Sequence, residues 1–184
     1  MSIVRSQILS IAANAGEEVV TNDDLAKVID TSDEWIVKRT GIRERRYIKE
    51  GSYWSDLMMP AFEKAMAEAK TKPEDLDLIV TGTLTGDLDM PSAAGLIQAR
   101  LGAMGAGAFN LQAACSGFLY GVTVADRFIR CDPRMKVLVV GGDAVSLITD
   151  KMDRSTAVLF GDGGGAAVMG GIFGEGIDLV GRRL

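Results

Sequence analysis

The sequence contains no histidine. An imidazole that acts as general acid or base near neutral pH therefore cannot come from this chain or from any homo-oligomer of it. Positive charge is also scarce, since 20 basic residues face 25 acidic residues and the net charge is −5. This balance argues against general nucleic-acid binding, which needs a basic surface.

Long apolar runs are lacking as well. No stretch approaches the roughly 18 residues that a membrane-spanning helix needs. A short apolar segment, Ile8–Ile11, follows Arg5 near the start of the chain. It resembles a signal peptide but is shorter than the roughly 7–15 apolar residues of such a peptide. We interpret this segment as a β-strand, and we expect a cytoplasmic protein without a membrane partner.

Cysteine is limited to Cys115 and Cys131. If residues 115–130 form one helix, a rise of about 1.5 Å per residue places the two about 24 Å apart. A disulfide requires Cα atoms within about 7 Å of each other. The sequence therefore predicts free thiols in a reducing compartment.

Apolar, β-branched runs alternate with amphipathic segments along the chain. This pattern predicts an α/β fold for a single domain over residues 1–184, with a mixed, mostly parallel sheet and helices on both faces. The predicted strands are 2–12, 76–81, 108–111, 136–140, 156–160, 166–169 and 177–180. The predicted helices are 22–29, 32–40, 55–69, 92–100 and 115–130.

Two local motifs refine these boundaries. Thr31 and Glu34 have the spacing of a capping box, with Thr31 as the N-cap, and Gly41 ends the helix that they begin. The glycine-rich run Gly161–Gly165 lacks the Lys-Ser/Thr of a Walker loop and does not open a helix, so it predicts a tight turn between two antiparallel strands.

Cys115 stands where a predicted strand turns into a helix. A thiolate there faces unsatisfied backbone N–H groups and the positive end of the helix dipole, and the same groups can stabilise an oxyanion. Its neighbours are small and leave room for an acyl chain: Ala113, Ala114, Ser116 and Gly117. On local sequence alone, a buried structural cysteine remains the alternative. Cys131, beside Asp132, has no such context.

Three segments resemble the β-ketoacyl-acyl carrier protein synthase III family. They are TSDEWIVKRTGIRER at 31–45, AACSGF at 113–118, and DRS at 153–155 followed by FGDGGGA at 160–166. The resemblance implies the nucleophile-bearing, N-terminal half of a thiolase-like condensing enzyme. In that family an acyl group moves from coenzyme A to the cysteine, here Cys115, and is condensed with malonyl-acyl carrier protein to initiate fatty acid biosynthesis.

The resemblance also implies a coenzyme A site. The family's adenine site matches Trp35 and Arg154, with Thr31 and Arg39 close by. Trp35 and Arg39 are four residues apart on one helix face, where an indole and a guanidinium can stack on an adenine. Without the resemblance, a core tryptophan beside a surface arginine is the favoured interpretation.

Further positions complete the implied site. Phe160 is expected to line the acyl or pantetheine channel, and Met90 stands where the family often has a phenylalanine that reaches the partner subunit's acyl pocket. Coenzyme A enters as part of the thioester substrate, and neither a cofactor nor a metal is expected. A basic run suits the coenzyme A phosphates or an acidic carrier protein, with a solvated face as the alternative: Lys38, Arg39, Arg43, Arg45, Arg46 and Lys49.

The resemblance covers only about the first half of the family's length. The other half supplies the histidine and asparagine of a Cys-His-Asn triad, so we expect a fragment, one component of a split enzyme or an excised half-domain. An isolated half exposes a large apolar face, which predicts a homodimer or docking of the missing C-terminal half. A thioester acyltransferase with another acceptor and a non-catalytic half-domain remain as alternatives.

Overall fold

The structure, a computed structural model, describes residues 4–173. Its strands are β1 Val4–Ala15, β2 Glu18–Thr21, β3 Glu44–Tyr47, β4 Leu78–Gly82, β5 Gly107–Leu111, β6 Lys136–Ala144 and β7 Asp162–Phe173. Its helices are α1 Asn22–Ala26, α2 Asp33–Thr40, α3 Trp54–Glu68, α4 Ala93–Leu101, α5 Gly117–Cys131 and α6 Arg154–Ala157. Short 3₁₀ turns lie at Pro73–Asp75, Ala114–Ser116 and Val145–Leu147. The strand predicted at 177–180 lies outside the described residues.

Five strands form one sheet in the order β1-β7-β6-β4-β5. The pairs β6·β4 and β4·β5 are parallel, whereas β1·β7 and β7·β6 are antiparallel. The expected mixed α/β sheet is therefore confirmed, and its parallel part consists of three neighbouring strands. None of the helices in residues 4–173 has the length and apolar character needed to cross a bilayer.

Helices cover both faces of this sheet, as the sequence predicts. Leu78 and Val80 of β4 face α5, while Ile79 between them faces α3 and α4, because successive side chains of a strand point to opposite faces. All five residues of β4 are buried, as expected for a central strand between two helical layers.

The antiparallel pair β2·β3 forms a second, smaller unit with α1, α2 and α6. Arg45 of β3 is only 5% exposed. Its guanidinium donates to the Asn22 side-chain oxygen at 2.7 Å and to the Val20 and Val158 carbonyls at 3.0 and 3.1 Å. Burial lowers the pKa of Arg45. This residue ties the hairpin to the end of α6, so its assignment to a surface basic run is wrong.

The N-cap of α2 is Ser32, and the prediction of Thr31 is wrong by one residue. The Ser32 hydroxyl accepts a hydrogen bond from the Trp35 N–H at 3.1 Å. The Thr31 hydroxyl oxygen is instead buried, where it has no hydrogen-bond partner among the described residues. Gly41 ends the helix in the left-handed region, with φ of 75°, as predicted.

The glycine-rich run is not a turn between two strands, because all of it after Gly161 forms the start of β7. A Cβ atom on Gly164 would lie 2.7 Å from the Gly141 carbonyl oxygen and from the Met58 sulfur. The glycines therefore let a strand pass closely between its neighbours and α3, a use of glycine that sequence alone does not distinguish from a turn. The strand predicted at 156–160 is also wrong, since Asp153 caps the short helix α6 there by accepting from the Ser155 N–H at 2.9 Å.

Helix α5 packs unusually closely on the centre of the sheet. A Cβ atom on Gly117 would lie 3.0 Å from the Gly82 Cα atom at the end of β4. One turn later, a Cβ atom on Gly121 would lie 2.8 Å from the Val139 Cγ1 atom of β6. These distances are shorter than van der Waals contact. Helix α5 can therefore lie this close to the sheet only because Gly117 and Gly121 have no side chains.

This packing predicts that Gly121→Ala destabilises the fold, although alanine normally stabilises a helix by about 0.5–1 kcal/mol relative to glycine. Overpacking against Val139 should cost about 1–3 kcal/mol. The matched control is Gly95→Ala in α4, where a Cβ atom would lie 3.5 Å from the nearest atom, the Ser92 Oγ. Urea unfolding should move the midpoints in opposite directions; a midpoint raised by Gly121→Ala would contradict the prediction.

Candidate active site

Cys115 lies in the 3₁₀ turn Ala114–Ser116, which joins β5 to α5. The helix begins at Gly117, so the predicted helical start at Cys115 is two residues too early. Cys115 is an exposed, free thiol. The alternative of a buried structural cysteine is therefore wrong.

The backbone of this turn is held in an uncommon conformation. Ala114 has φ of 46°, in the left-handed region that residues with a Cβ atom rarely occupy. Such a conformation costs on the order of 1–3 kcal/mol and persists where the surrounding structure over-determines it. The close contact of Gly82 with Gly117 supplies that constraint on the helical side of Cys115.

The 3₁₀ turn leads directly into α5: the Ser116 N–H donates to the Ala113 carbonyl at 3.0 Å, and the Gly117 N–H donates to the Ala114 carbonyl. Ser116 is its N-cap residue, yet the Ser116 side chain makes no capping hydrogen bond. The α2 and α4 helices, in contrast, are capped by the side chains of Ser32 and Ser92. No side chain competes for the N-terminal end of α5, and the helix dipole there favours negative charge on a bound group.

Cys115 opens into a cavity of about 440 Å³. Phe160 lines the same cavity, so the structure brings these two predicted residues together. The other lining residues come from the loops after β4 and β6 and from the region of α6: Leu84, Thr85, Asp143, Val145, Ile148, Thr149, Asp150, Asp153 and Thr156. The wall thus combines apolar side chains with carboxylates and hydroxyls.

The three carboxylates of this cavity all have structural partners; Asp150 accepts from the Met152 N–H at 2.9 Å. Asp143 accepts hydrogen bonds from residues 83–85. Hydrogen bonds lower the pKa of Asp153, first from the Ser155 hydroxyl, then from the Thr156 hydroxyl and the Ser155 N–H. The sequence analysis missed Asp143; the available signal is its position at the carboxyl end of a parallel strand, where α/β folds place their sites.

Trp35 lies beneath two guanidinium groups. The Arg39 Cζ atom is 4.1 Å from the centre of the indole ring, and that of Arg154 is 4.9 Å from it. Arg154 also donates to the Asp30 carbonyl at 2.9 Å. A cleft of about 250 Å³ opens here, lined by Ser32, Glu34, Trp35, Lys38 and Arg39. The structure therefore brings Trp35, Arg39 and Arg154 together, as predicted. Thr31 precedes α2 in the chain and is not among the residues that line this cleft.

The segment 153–160 connects the two regions. Arg154 contacts Trp35, while Asp153, Thr156 and Phe160 line the cavity of Cys115. Met90 belongs to neither region. It is 83% exposed, on the loop between β4 and α4, and is not among the residues that line either cavity.

The sequence and the fold both match known proteins. Residues 109–181 match the family model of 3-oxoacyl-[acyl-carrier-protein] synthase III. A β-ketoacyl-[acyl-carrier-protein] synthase III of Xanthomonas campestris pv. campestris is 51% identical over 166 residues, which cover 90% of this chain and 51% of that protein. The chain thus spans about half the length of the curated relatives that it matches.

Solved structures give the same result. The crystal structure of 3-oxoacyl-[acyl-carrier-protein] synthase III from Aquifex aeolicus superposes with a TM-score of 0.85 at 47% identity, over 90% of this chain and 53% of that one. The priming β-ketosynthase of the R1128 polyketide biosynthetic pathway superposes with a TM-score of 0.86 at 35% identity, over 90% and 50% of the two chains. The thiolase-like fold is thereby confirmed, and so is the resemblance to β-ketoacyl-[acyl-carrier-protein] synthase III, of which this chain matches about half the length.

Proposed function

We propose that this chain carries the acyl-accepting half of a condensing enzyme, in which Cys115 takes an acyl group from acyl-coenzyme A. The observation that carries the proposal is the place of Cys115, exposed in a strained turn at the uncapped start of α5 and open to a cavity of about 440 Å³. An exposed thiol at a helix N-terminus, beside an apolar wall, suits covalent catalysis on a thioester.

The acyl transfer follows from this geometry. The Cys115 thiolate attacks the thioester carbonyl carbon, and the electron pair of the carbonyl moves onto oxygen. N–H groups at the start of α5 offer donors for that oxyanion. Collapse of the tetrahedral intermediate breaks the bond to the sulfur of coenzyme A, which leaves as a thiolate, and the acyl group remains as a thioester on Cys115.

Coenzyme A itself is the substrate that fits the second region. Trp35 offers an aromatic surface for the adenine, and Arg39 and Arg154 offer stacking and positive charge. Exposed Lys38 and Arg43 add further attraction for phosphates or for an acidic acyl carrier protein. No cofactor enters this scheme, because coenzyme A arrives and leaves with the reaction.

The complete reaction is decarboxylative condensation of the Cys115-bound acyl group with malonyl-acyl carrier protein, which initiates fatty acid biosynthesis. By family resemblance, the histidine and asparagine that assist this step come from the half that this sequence lacks. The chain as given has no histidine. We therefore assign acyl acceptance to this chain and carbanion stabilisation to a second half.

Exposed apolar side chains support the proposal that another polypeptide covers part of this surface. They fall in the loop after β4, at the start of α5 and around the cavity mouth: Leu84, Leu88, Met90, Leu119, Tyr120, Leu147, Ile148, Met152, Leu159 and Phe160. β5 is also the last strand of the five-stranded sheet. Exposed apolar patches mark interaction sites, so we propose a homodimer or docking of the C-terminal half. Two free thiols suit the cytoplasm.

A related acyltransferase with another acceptor is the second candidate. The priming β-ketosynthase of a polyketide pathway shares this half of the fold at 35% identity. The acceptor therefore depends on residues outside the shared half. A non-catalytic half-domain is the third possibility, and the labelling experiment below distinguishes it from the first two.

We expect Cys115 to be alkylated faster than Cys131 at neutral pH. The two thiols are both exposed and stand at opposite ends of α5, where the dipole favours a thiolate at the N-terminus and disfavours it at the C-terminus. Iodoacetamide labelling followed by trypsin separates them into peptides 101–127 and 131–134. Earlier labelling of Cys131 would remove the proposed activation.

Coenzyme A binding should weaken in Trp35→Ala and in Arg154→Ala. Loss of a stacking or cation–π partner costs about 0.5–2 kcal/mol, which corresponds to roughly 2- to 30-fold in Kd. Arg46→Ala is the matched control, because Arg46 pairs with Glu44 at 3.3 Å and does not contact Trp35. Calorimetry at two salt concentrations tests this; equal affinity in all three variants would exclude the adenine site.

The chain alone should become acylated at Cys115 by acyl-coenzyme A, slowly, but should not condense the acyl group with a malonyl thioester. Loss of one donor to a developing anion typically costs about 10²- to 10³-fold in rate. Intact-mass spectrometry follows acylation, and carbon dioxide release follows condensation. Release at an enzymatic rate that Cys115→Ala abolishes would contradict the assignment, and condensation restored by a separately produced C-terminal half would support it.

A further inference from the structure

The turn that follows β4 places an apolar side chain in the wall beside Cys115. Leu84 and Thr85 line the same cavity as the thiol. Three apolar side chains of this loop are exposed, Leu84 by 52%, Leu88 by 54% and Met90 by 83%. Among these three, only Leu84 lines the cavity. Within one copy of the chain, Leu84 rather than Met90 is therefore the apolar residue of this loop that meets a group bound at Cys115.

One carboxylate oxygen fixes this turn to the central sheet. The Asp143 Oδ1 atom accepts from the Leu84 N–H at 2.6 Å and from the Thr83 hydroxyl at 2.8 Å. It also accepts from the Thr85 hydroxyl at 3.1 Å and from the Thr85 N–H at 3.2 Å. Hydrogen bonds to an ionised acceptor are stronger than neutral ones, so residues 83–85 are held by converging, charge-assisted bonds.

Asp143 and the loop that it binds are each held by further contacts. Asp143 belongs to β6 and pairs with Gly163 of β7. The Thr85 hydroxyl oxygen also accepts from the Ala144 N–H at 2.8 Å. Farther along the loop, Asp87 accepts from the Ser55 N–H at 2.9 Å and from the Ser55 hydroxyl, which ties the loop to α3. Leu84 is thus fixed from both sides, although its side chain remains half exposed.

We propose that Leu84 is a specificity-determining residue, which limits the size of the group that can reach Cys115, and that Asp143 is the positioning residue that holds Leu84 in the cavity wall. The inference rests on the proposed function for its physiological meaning, since the group would be the acyl chain of the thioester. The effect of Leu84 on the size of a group that reaches the Cys115 thiol can, however, be measured without any acyl transfer.

N-alkylmaleimides of increasing chain length measure this wall directly. The readout is the ratio of the second-order rate constants for N-hexylmaleimide and N-ethylmaleimide at Cys115, from mass spectrometry of peptide 101–127. Leu84→Ala should raise this ratio about tenfold, and Leu84→Phe should lower it, by the usual effect of a few methylenes in an apolar pocket. Leu88→Ala, with a side chain of equal size and exposure outside the cavity, should leave it unchanged. Equal ratios in the wild type and both Leu84 variants would overturn the proposal.

The role of Asp143 requires a double-mutant cycle. Asp143→Asn should raise the same ratio, because a neutral oxygen holds residues 83–85 less firmly. It should raise the ratio much less in the Leu84→Ala background, where no side chain remains to be positioned. Asp87→Asn is the matched control on the same loop. If Asp143→Asn does not fold, Thr83→Val removes one of the converging donors and takes its place in the cycle. Additive effects, or an equal effect of Asp87→Asn, would contradict the positioning role.

Labelling with butyryl- and octanoyl-coenzyme A separates this inference from the proposed function. Acylation of Cys115 whose octanoyl/butyryl ratio rises in Leu84→Ala supports both. Absence of acylation with a maleimide ratio that still depends on Leu84 refutes the proposed function and leaves the wall assignment standing. If Cys115 is acylated but neither the maleimide ratio nor the octanoyl/butyryl ratio changes in the Leu84 variants, only the role of Leu84 is refuted.

Discussion

The backbone contact between Gly82 at the end of β4 and Gly117 at the start of α5 fixes the geometry of the whole site. The helix lies so close to the sheet that a single Cβ atom at either position would meet backbone atoms within about 3.0 Å. Because β4 is central and fully buried, this contact sets the height of α5 above the sheet. Cys115 lies two residues before Gly117, so this contact also fixes its place above the sheet. The same contact helps to hold the left-handed backbone conformation of Ala114.

A second constraint, at the Asp162 carboxylate, holds the turn from which Val145 lines the cavity. The Asp162 carboxylate at the start of β7 accepts from the Ile48 N–H at 2.7 Å, and from the Ser146 N–H at 2.7 Å and the Ser146 hydroxyl at 2.5 Å. It thereby joins β3, β7 and the turn Val145–Leu147, whose Val145 lines the cavity. The segment 153–160 lies between this junction and Trp35, so one short stretch orients residues of both the thiol cavity and the indole cleft.

The sequence predicted those elements whose signal is local. Hydrophobic periodicity predicted α3 and the strand core at 136–140, and three short motifs predicted that Cys115, Trp35, Arg39 and Arg154 matter. It did not predict the use of the glycines at 163–165, because glycine permits both a turn and close approach of strands, and only the positions of β6 and α3 decide between them. The burial of Arg45 and the place of Asp143 were missed for the same reason, since their partners are distant in the chain.

The proposed reaction has two steps, acylation of Cys115 and condensation, and the two steps need different groups. Under the proposed function, acylation of Cys115 needs a nucleophilic sulfur, stabilisation of the negative charge on the thioester oxygen and a wall that admits the acyl group, and this chain offers them at the start of α5 and in the cavity beside it. Condensation additionally creates a carbanion-like enolate from the malonyl group, at a point beyond the thioester sulfur. Under the proposed function, the donors for that charge come from a second half, which has to reach the cavity that Cys115 lines. Two of the residues that line this cavity, Ile148 and Phe160, are exposed apolar side chains. In that proposal, a second half that docks on these residues would cover their apolar surface and bring its donors to the same cavity.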